Sequence, residues 1–198
     1  MSKSIQFFET QFQKQVANSA LELNPFETAA LPYMKGRALD FGFGLGNLSI
    51  AMARQGCAVL ALDAAPTAIR HLAALAAREQ LSITAREADL RNYVIDEDFD
   101  SVVSIGLLMF FDCATTHRQL SQLQTRVRPG GIAAINVLIE GTTYLDMFDP
   151  AAHCLFRRNE LTESFAGWEI LSESFDDFPA PGNTIKAFAT VIARKPEK

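Results

Sequence analysis

The segment Arg37-Ala38-Leu39-Asp40-Phe41-Gly42-Phe43-Gly44-Leu45-Gly46 constrains this 198-residue chain more than any other. Five residues that read as a strand run into three alternating glycines, and a helical pattern follows over 47–55. Strand, tight glycine turn and helix make the opening half of a β-α-β unit. Cys57 to Leu62 supplies the second strand, nearly continuously apolar, as a parallel strand covered on both faces must be. A sheet of that kind needs helices on both sides, so the expectation is a doubly wound α/β fold.

The alternation continues along the chain. Pro66 opens a helix that ends near Glu79, with Ile69, Leu72, Ala73 and Ala76 on its inner face. A third strand is expected from Ser82 to Arg86 and a fourth from Phe99 to Ile105. A helix from about Thr116 to Arg126, a turn at Pro129-Gly130-Gly131 and a fifth strand over 132–139 complete the regular part. After a short helix near Asn159, two strand-like segments, 168–175 and 185–194, are joined by a loop holding Pro179, Pro181 and Gly182. A parallel partner requires about a dozen or more residues of return path, so these two must pair antiparallel. Ahead of the sheet, Ile5, Phe8, Phe12 and Val16 mark one face of a helix near 3–18; Asn24-Pro25 interrupts it, and a second apolar stretch runs from Phe26 to Tyr33. One domain is expected, with a helical lid segment at 1–34 and a Rossmann-like core at 35–198.

Charge and cysteine usage narrow the partners. Net charge is −5, and no basic run exceeds Arg157-Arg158, which argues against nucleic acid. No stretch approaches the ~18 consecutive apolar residues of a membrane span, and the N-terminus lacks an apolar signal core, so no membrane partner is expected. Cys57, Cys113 and Cys154 are odd in number, far apart and outside metal-ligand spacings. They fit a reducing cytoplasm without a metal site.

The glycine turn carries the chemistry. An acid about 20 residues after such a turn can take both hydroxyls of a ribose, and Asp63 ends the second strand. Asp63 also suits capping of the helix that Pro66 opens. A dinucleotide fingerprint, G-x-G-x-x-G, needs glycine at 47; this chain has Asn47 there and Gly46 one residue early. Asp40, just before the turn, opposes a pyrophosphate, an anion otherwise favoured at a helix N-terminus. A carboxylate there suits a ligand with an ammonium group. S-adenosyl-L-methionine has an ammonium, a sulfonium and a ribose and no phosphate, which matches the turn; a tight turn with no ligand is the alternative. Asp89-Leu90, after the third strand, suits an adenine amino group and ring, or is a plain loop pair.

Asp40, the three glycines, Asp63, Asp89-Leu90, the fourth strand and Arg128-Pro129-Gly130-Gly131 together resemble class I S-adenosylmethionine-dependent methyltransferases. That family has a seven-stranded sheet, mostly parallel with an antiparallel last strand. The segments Ser104 to Phe111, Phe156 to Leu161, Gly167-Trp168-Glu169 and Gly182 to Thr190 resemble the tellurite-resistance methyltransferases within it. The resemblance implies that Asp40, Gly42 and Gly44 hold the methionine part of the donor, Asp63 and Ala64 the ribose, and Asp89 and Leu90 the adenine, with Ser104 and Ile105 bordering the methyl group. Two departures stand out. Phe43 replaces the Cys usual between the first two glycines, and Phe178-Pro179-Ala180-Pro181 stands where the family has a His-Arg pair.

The expected activity is methyl transfer to a small-molecule nucleophile, a chalcogen oxyanion or a thiol among the candidates; donor binding without catalysis, as a sensor or subunit, is the second reading. A nicotinamide oxidoreductase is disfavoured by Asn47. Positioning supplies much of the acceleration in such a transfer, and the sequence displays no clear base. His71 and His117 fall in helices, while His153 and Cys154 fall in a loop where substrate segments belong. Arg157 and Arg158 suit an anionic acceptor or solvent. Met109, Phe110 and Phe111 suit a dry wall or the core. The first helix suits a lid over the donor or simple packing.

Overall fold

The computed structural model describes residues 3–17 and 22–197. Two helices, α1 (Lys3–Ala17) and α2 (Pro25–Ala30), precede β1 (Arg37–Phe41). Then come α3 (Asn47–Arg54), β2 (Ala58–Asp63), α4 (Pro66–Glu79), β3 (Ile83–Glu87) and β4 (Phe99–Ile105). The chain closes with α5 (Cys113–Thr125), β5 (Val127–Leu138), a short α6 (Glu160–Glu163), β6 (Glu169–Ala180) and β7 (Thr184–Arg194). The side chains of Ile5 and Val16, expected on the inner face of the first helix, lie outside the described residues.

All seven strands form one sheet in the order β3-β2-β1-β4-β5-β7-β6. β1 lies between β2 and β4, parallel to both, and β7 runs antiparallel between β5 and β6. The seven-stranded, mostly parallel architecture is the expected one. The chain leaves β1 toward one edge of the sheet and returns at β4 on its other side, so a crevice opens at the carboxyl ends of β1 and β4, where such folds bind ligands. Strand side chains alternate between faces. Leu39, Phe41, Leu60, Leu62 and Val102 pack with Leu120 and Leu123 of α5 on one face. Ala38, Val59, Ala61 and Val103 pack with Leu48 and Met52 of α3 and Ala68 and Leu72 of α4 on the other. Among the described residues no helix is long and apolar enough to cross a membrane.

Four local expectations change. Pro129-Gly130-Gly131 lies inside β5, because Val127 pairs with Phe99 and Ile132 with Ser101, leaving the intervening residues to bulge. A Cβ on Gly131 would stand 2.8 Å from Arg128 O and 2.9 Å from Asp100 O, so the bulge closes only on glycine. The last hairpin is tighter than expected: β6 runs to Ala180 and the turn shrinks to Pro181–Asn183. Pro179 is tolerated there because β6 is an edge strand, whose outer side needs no ladder donor. Helix α5 starts at Cys113, three residues ahead of the expected Thr116, because Asp112 accepts the Thr115 N–H at 3.0 Å as its cap.

The cysteines are the fourth correction. Cys113 and Cys154 form a disulfide with their Cα atoms 4.8 Å apart, and Cys57 is buried and free. A separation of 41 residues hid the pair. The segment after β5 folds back across the start of α5, where the Cys154 N–H donates to Met109 O at 3.0 Å.

Candidate functional site

The crevice beside β1 is a cavity of about 610 Å³. Asp40, Gly42, Gly44, Asp63, Ala64, Asp89, Leu90 and Ile105 all line it, so residues spread over 65 positions of sequence meet in one place. Ser104 does not line it. Being next to Ile105 on a strand, it points to the opposite face, where it is fully buried with an unpartnered hydroxyl.

Backbone geometry builds the turn. The Gly42 N–H donates to Leu62 O at 2.8 Å, and the Gly46 N–H donates to Phe43 O at 2.9 Å. All three glycines have positive φ, at 85°, 59° and 80°. A Cβ on Gly42 would come within 2.6 Å of Leu107, and one on Gly46 within 2.7 Å of Leu72, so glycine is required for approach as well as for φ. Asp63 accepts the Gly44 N–H through Oδ2 and the Ala65 N–H through Oδ1, each at 2.9 Å. It therefore clamps the turn to the end of β2. The N-cap of α4 is Ala65, with no side-chain cap bond.

Two of the carboxylates are buried close to other acids. Asp40 is 4% exposed and accepts the Ser49 hydroxyl at 2.6 Å. Burial pushes its pKa up to about 7; the Ser49 bond opposes this, and the charges of Glu27 and Asp63 add to it. Burial raises Asp63 as well, against the backbone N–H groups it accepts. No described ion pair includes either acid. The ammonium and ribose of S-adenosyl-L-methionine fit these two groups.

Helix α5 holds the loop after β3 in shape. Gln119 Nε2 donates to Leu90 O and Arg91 O, both at 2.9 Å, and Gln122 Nε2 donates to Tyr93 O at 3.0 Å. Asp89 itself accepts the Arg91 N–H at 3.2 Å and the Asn92 amide at 2.9 Å.

Helix α1 covers the cavity. Phe8, Gln11, Phe12 and Gln15 line it, and Phe12 Cζ lies 3.6 Å from where a Cβ on Gly44 would stand. Glu9 accepts the Thr67 N–H at 3.2 Å and also its hydroxyl, pinning α1 to α4. Phe8 meets Phe110 edge-on at 4.9 Å. Phe110 and Phe111 thus serve as wall and core together, being buried and lining the cavity.

Several lining residues escaped the sequence reading: Glu22, Asn24, Glu27, Arg91 and Leu107, and Asn47 as more than a spacing mark. The available signal was Asn24-Pro25-Phe26-Glu27, a capping box in which each end satisfies the other's backbone N–H. The polar residues once considered for the acceptor lie elsewhere. His117 pairs with Glu160 at 2.7 Å, and His153 stacks on Phe148 at 4.9 Å. Arg157 bonds Glu163 at 3.2 Å, and Arg158 sits 4.4 Å over the Phe175 ring. His71 is on α4, and none of these lines the cavity.

Sheet order, antiparallel seventh strand and crevice together define the Rossmann-like methyltransferase architecture, and solved structures agree. TehB from Haemophilus influenzae superimposes with a TM-score of 0.75 at 23% identity, covering 87% of this chain and 62% of that one. The N-methyltransferase NodS from Bradyrhizobium japonicum WM9, solved with S-adenosyl-L-homocysteine, gives 0.72 at 18% identity over 96% and 99%. These likenesses are of fold. The family model described as tellurite resistance protein TehB matches residues 5–191, and the chain belongs to that family. The probable S-adenosyl-L-methionine-dependent methyltransferase TehB of Haemophilus influenzae (strain 10810) is 28% identical over 166 residues, 80% of this chain and 57% of the relative. Hemagglutinin 1 of Eikenella corrodens is 28% identical over 170 residues, 81% and 55% respectively. The chain spans a little over half the length of these curated relatives.

Proposed function

We propose that this protein is a methyltransferase that moves the methyl group of S-adenosyl-L-methionine to a small-molecule nucleophile. The observation that carries this is Asp40, buried beside the glycine turn and without a cationic partner among the described residues. A buried carboxylate is costly unless a partner completes it, and the donor's ammonium is such a partner. Asp40 with Gly42 and Gly44 would bind the methionine part, Asp63 and Ala64 the ribose, and Asp89 and Leu90 the adenine. Ile105 borders the space left for the methyl group, and residues 1–34 form the lid.

The sulfonium supplies an activated methyl group. The chain supplies position and a dry site, with Phe8, Phe12 and Phe110 excluding water. For a chalcogen oxyanion or thiolate the lining offers little, since Arg91 is its one basic side chain among the described residues.

Calorimetry with S-adenosyl-L-methionine, S-adenosyl-L-homocysteine and NAD tests the donor: the first two should bind, and NAD binding in their place would overturn the reading. Methyl transfer to any member of a panel of selenite, tellurite, thiols and amines separates an enzyme from a sensor or subunit that only binds donor.

A further inference from the structure

The charge of the cavity is one-sided. Among the described residues, Glu22, Glu27, Asp40, Asp63 and Asp89 line it against a single base, Arg91, whose guanidinium lies 5.6 Å over the Phe111 ring. The linker Asn18-Ser19-Ala20-Leu21 contains no ionisable side chain. On the reading above, the donor's ammonium engages Asp40, its ribose Asp63 and its adenine Asp89. Glu22, which is exposed, and Glu27, which is half-buried, remain unassigned.

Glu27 is built into place. Its N–H donates to Asn24 Oδ1 at 2.9 Å, and its Oε2 accepts the Asn24 N–H at 2.8 Å. Oε1 has no partner among the described hydrogen bonds. The next residue back, Phe26, is held between Phe178 at 5.5 Å and Phe188 at 4.9 Å, which sets the orientation of α2. The same cavity is lined by Phe8, Phe12 and Phe110, aromatic faces that attract a cation.

We propose that the methyl acceptor is a small amine with an apolar body, received as its ammonium by Glu27 Oε1 and the rings of Phe8, Phe12 and Phe110, and that Glu27 is the catalytic base. The proposal rests on the methyltransferase reading and names its substrate class. An oxyanion or thiolate would be desolvated among carboxylates, where like charges repel strongly; an ammonium is stabilised there. An ammonium nitrogen has no free electron pair, so it must lose a proton first. That proton passes to Glu27. The freed pair forms the N–C bond to the methyl carbon as the C–S bond breaks, and its electrons stay on sulfur. The sulfonium becomes a neutral thioether, the positive charge ends on the methylated amine, and Glu27 returns its proton to water. Burial raises the proton affinity of Glu27, narrowing the gap to the amine.

No described ion pair includes Glu27. Asp40 comes from β1, Asp63 from β2 and Glu22 from the chain before α2. The β6-β7 hairpin presents rings to α2, while its Asp176 accepts the Ser174 hydroxyl at 2.7 Å and its Lys186 lies 5.0 Å over the Tyr144 ring.

The test uses the whole chain with benzylamine and phenethylamine, against benzyl mercaptan, selenite and tellurite. Glu27→Gln retains the capping box, because glutamine accepts the same backbone N–H. Wild type should methylate the amines. The variant should keep its Tm and bind donor at least as tightly, since losing the Glu27 charge favours ionised Asp40, while kcat for amines falls about 100-fold at neutral pH. The deficit should shrink toward about pH 10, where solution itself supplies free amine. Donor binding with transfer to selenite, tellurite or thiol alone, or to none of the probes, overturns the proposal. So does an unchanged pH profile in Glu27→Gln. Absence of donor binding in wild type would instead overturn the methyltransferase reading.

Discussion

The backbone N–H of Gly44 donates to Asp63 Oδ2 at 2.9 Å, joining the middle glycine of the turn to the acid that ends β2. Glycine turn and strand-end acid are therefore one unit. Asp63→Ala unties the turn and removes the acceptor proposed for the ribose. Hydrogen bonds to a charged group contribute about 1.5–3 kcal/mol each, so S-adenosyl-L-homocysteine affinity should fall at least about tenfold. Calorimetry reads it, and undiminished affinity would refute the ribose assignment.

If Asp40 receives the donor's ammonium as proposed, donor binding should depend on pH. With a pKa of about 7 in the folded chain against 3.8 ordinarily, it is protonated in the folded protein and ionised in the unfolded one between those values. Its contribution to stability is complete below the ordinary value and disappears as pH rises through about 7. Donor binding needs the ionised form, so affinity should weaken as pH drops below about 7, up to tenfold per unit. Asp40→Asn should bind donor poorly at every pH and, without ligand, should melt higher than wild type at about pH 8. A variant that melts lower there, or binds donor normally, contradicts this account.

Gln119 holds the loop after β3, proposed to take the adenine, without touching the cavity: it is 1% exposed and absent from the lining. Gln119→Leu leaves the Leu90 carbonyl unmet and Arg91 O with the Arg118 guanidinium, at 2.8 Å, as its remaining described side-chain donor, a loss of about 1–3 kcal/mol. Donor KM should rise more than kcat falls, and steady-state kinetics with varied donor will separate the two. An unchanged KM would show that Gln122 and Arg118 hold the loop without it.

The Cys113–Cys154 bond staples the segment after β5 to the start of α5. Closing a loop of 41 residues restricts the unfolded chain by about 4 kcal/mol at most. Dithiothreitol should lower the urea midpoint and expose residues 140–153 to protease, and Cys113→Ser should match reduced wild type. Equal midpoints with and without reductant would mean that the bond adds nothing.

How much could be read from the chain depended on range. β1 and β4 have the boundaries expected, because each is a short, largely buried strand segment that stops at a glycine. α5 and the last hairpin were misjudged by a few residues: one end depends on a single cap at Asp112, the other on β6 being an edge. Most expected ligand residues reached the cavity because they share one position, the carboxyl end of a strand. Ser104 did not, since neighbouring strand residues face opposite ways and the sequence alone does not say which face holds the ligand.

The sequence by itself determined the alternating sheet, the antiparallel end pair and the Asp40 glycine turn, because periodicity, glycine placement and connection length act over a few residues. Only the tertiary structure decided that Glu27 joins Asp40, that Phe12 lies over Gly44 and that Cys113 meets Cys154. Those relationships link segments separated by 13 to 41 residues, and nothing local encodes them. Packing on the sheet brings them together.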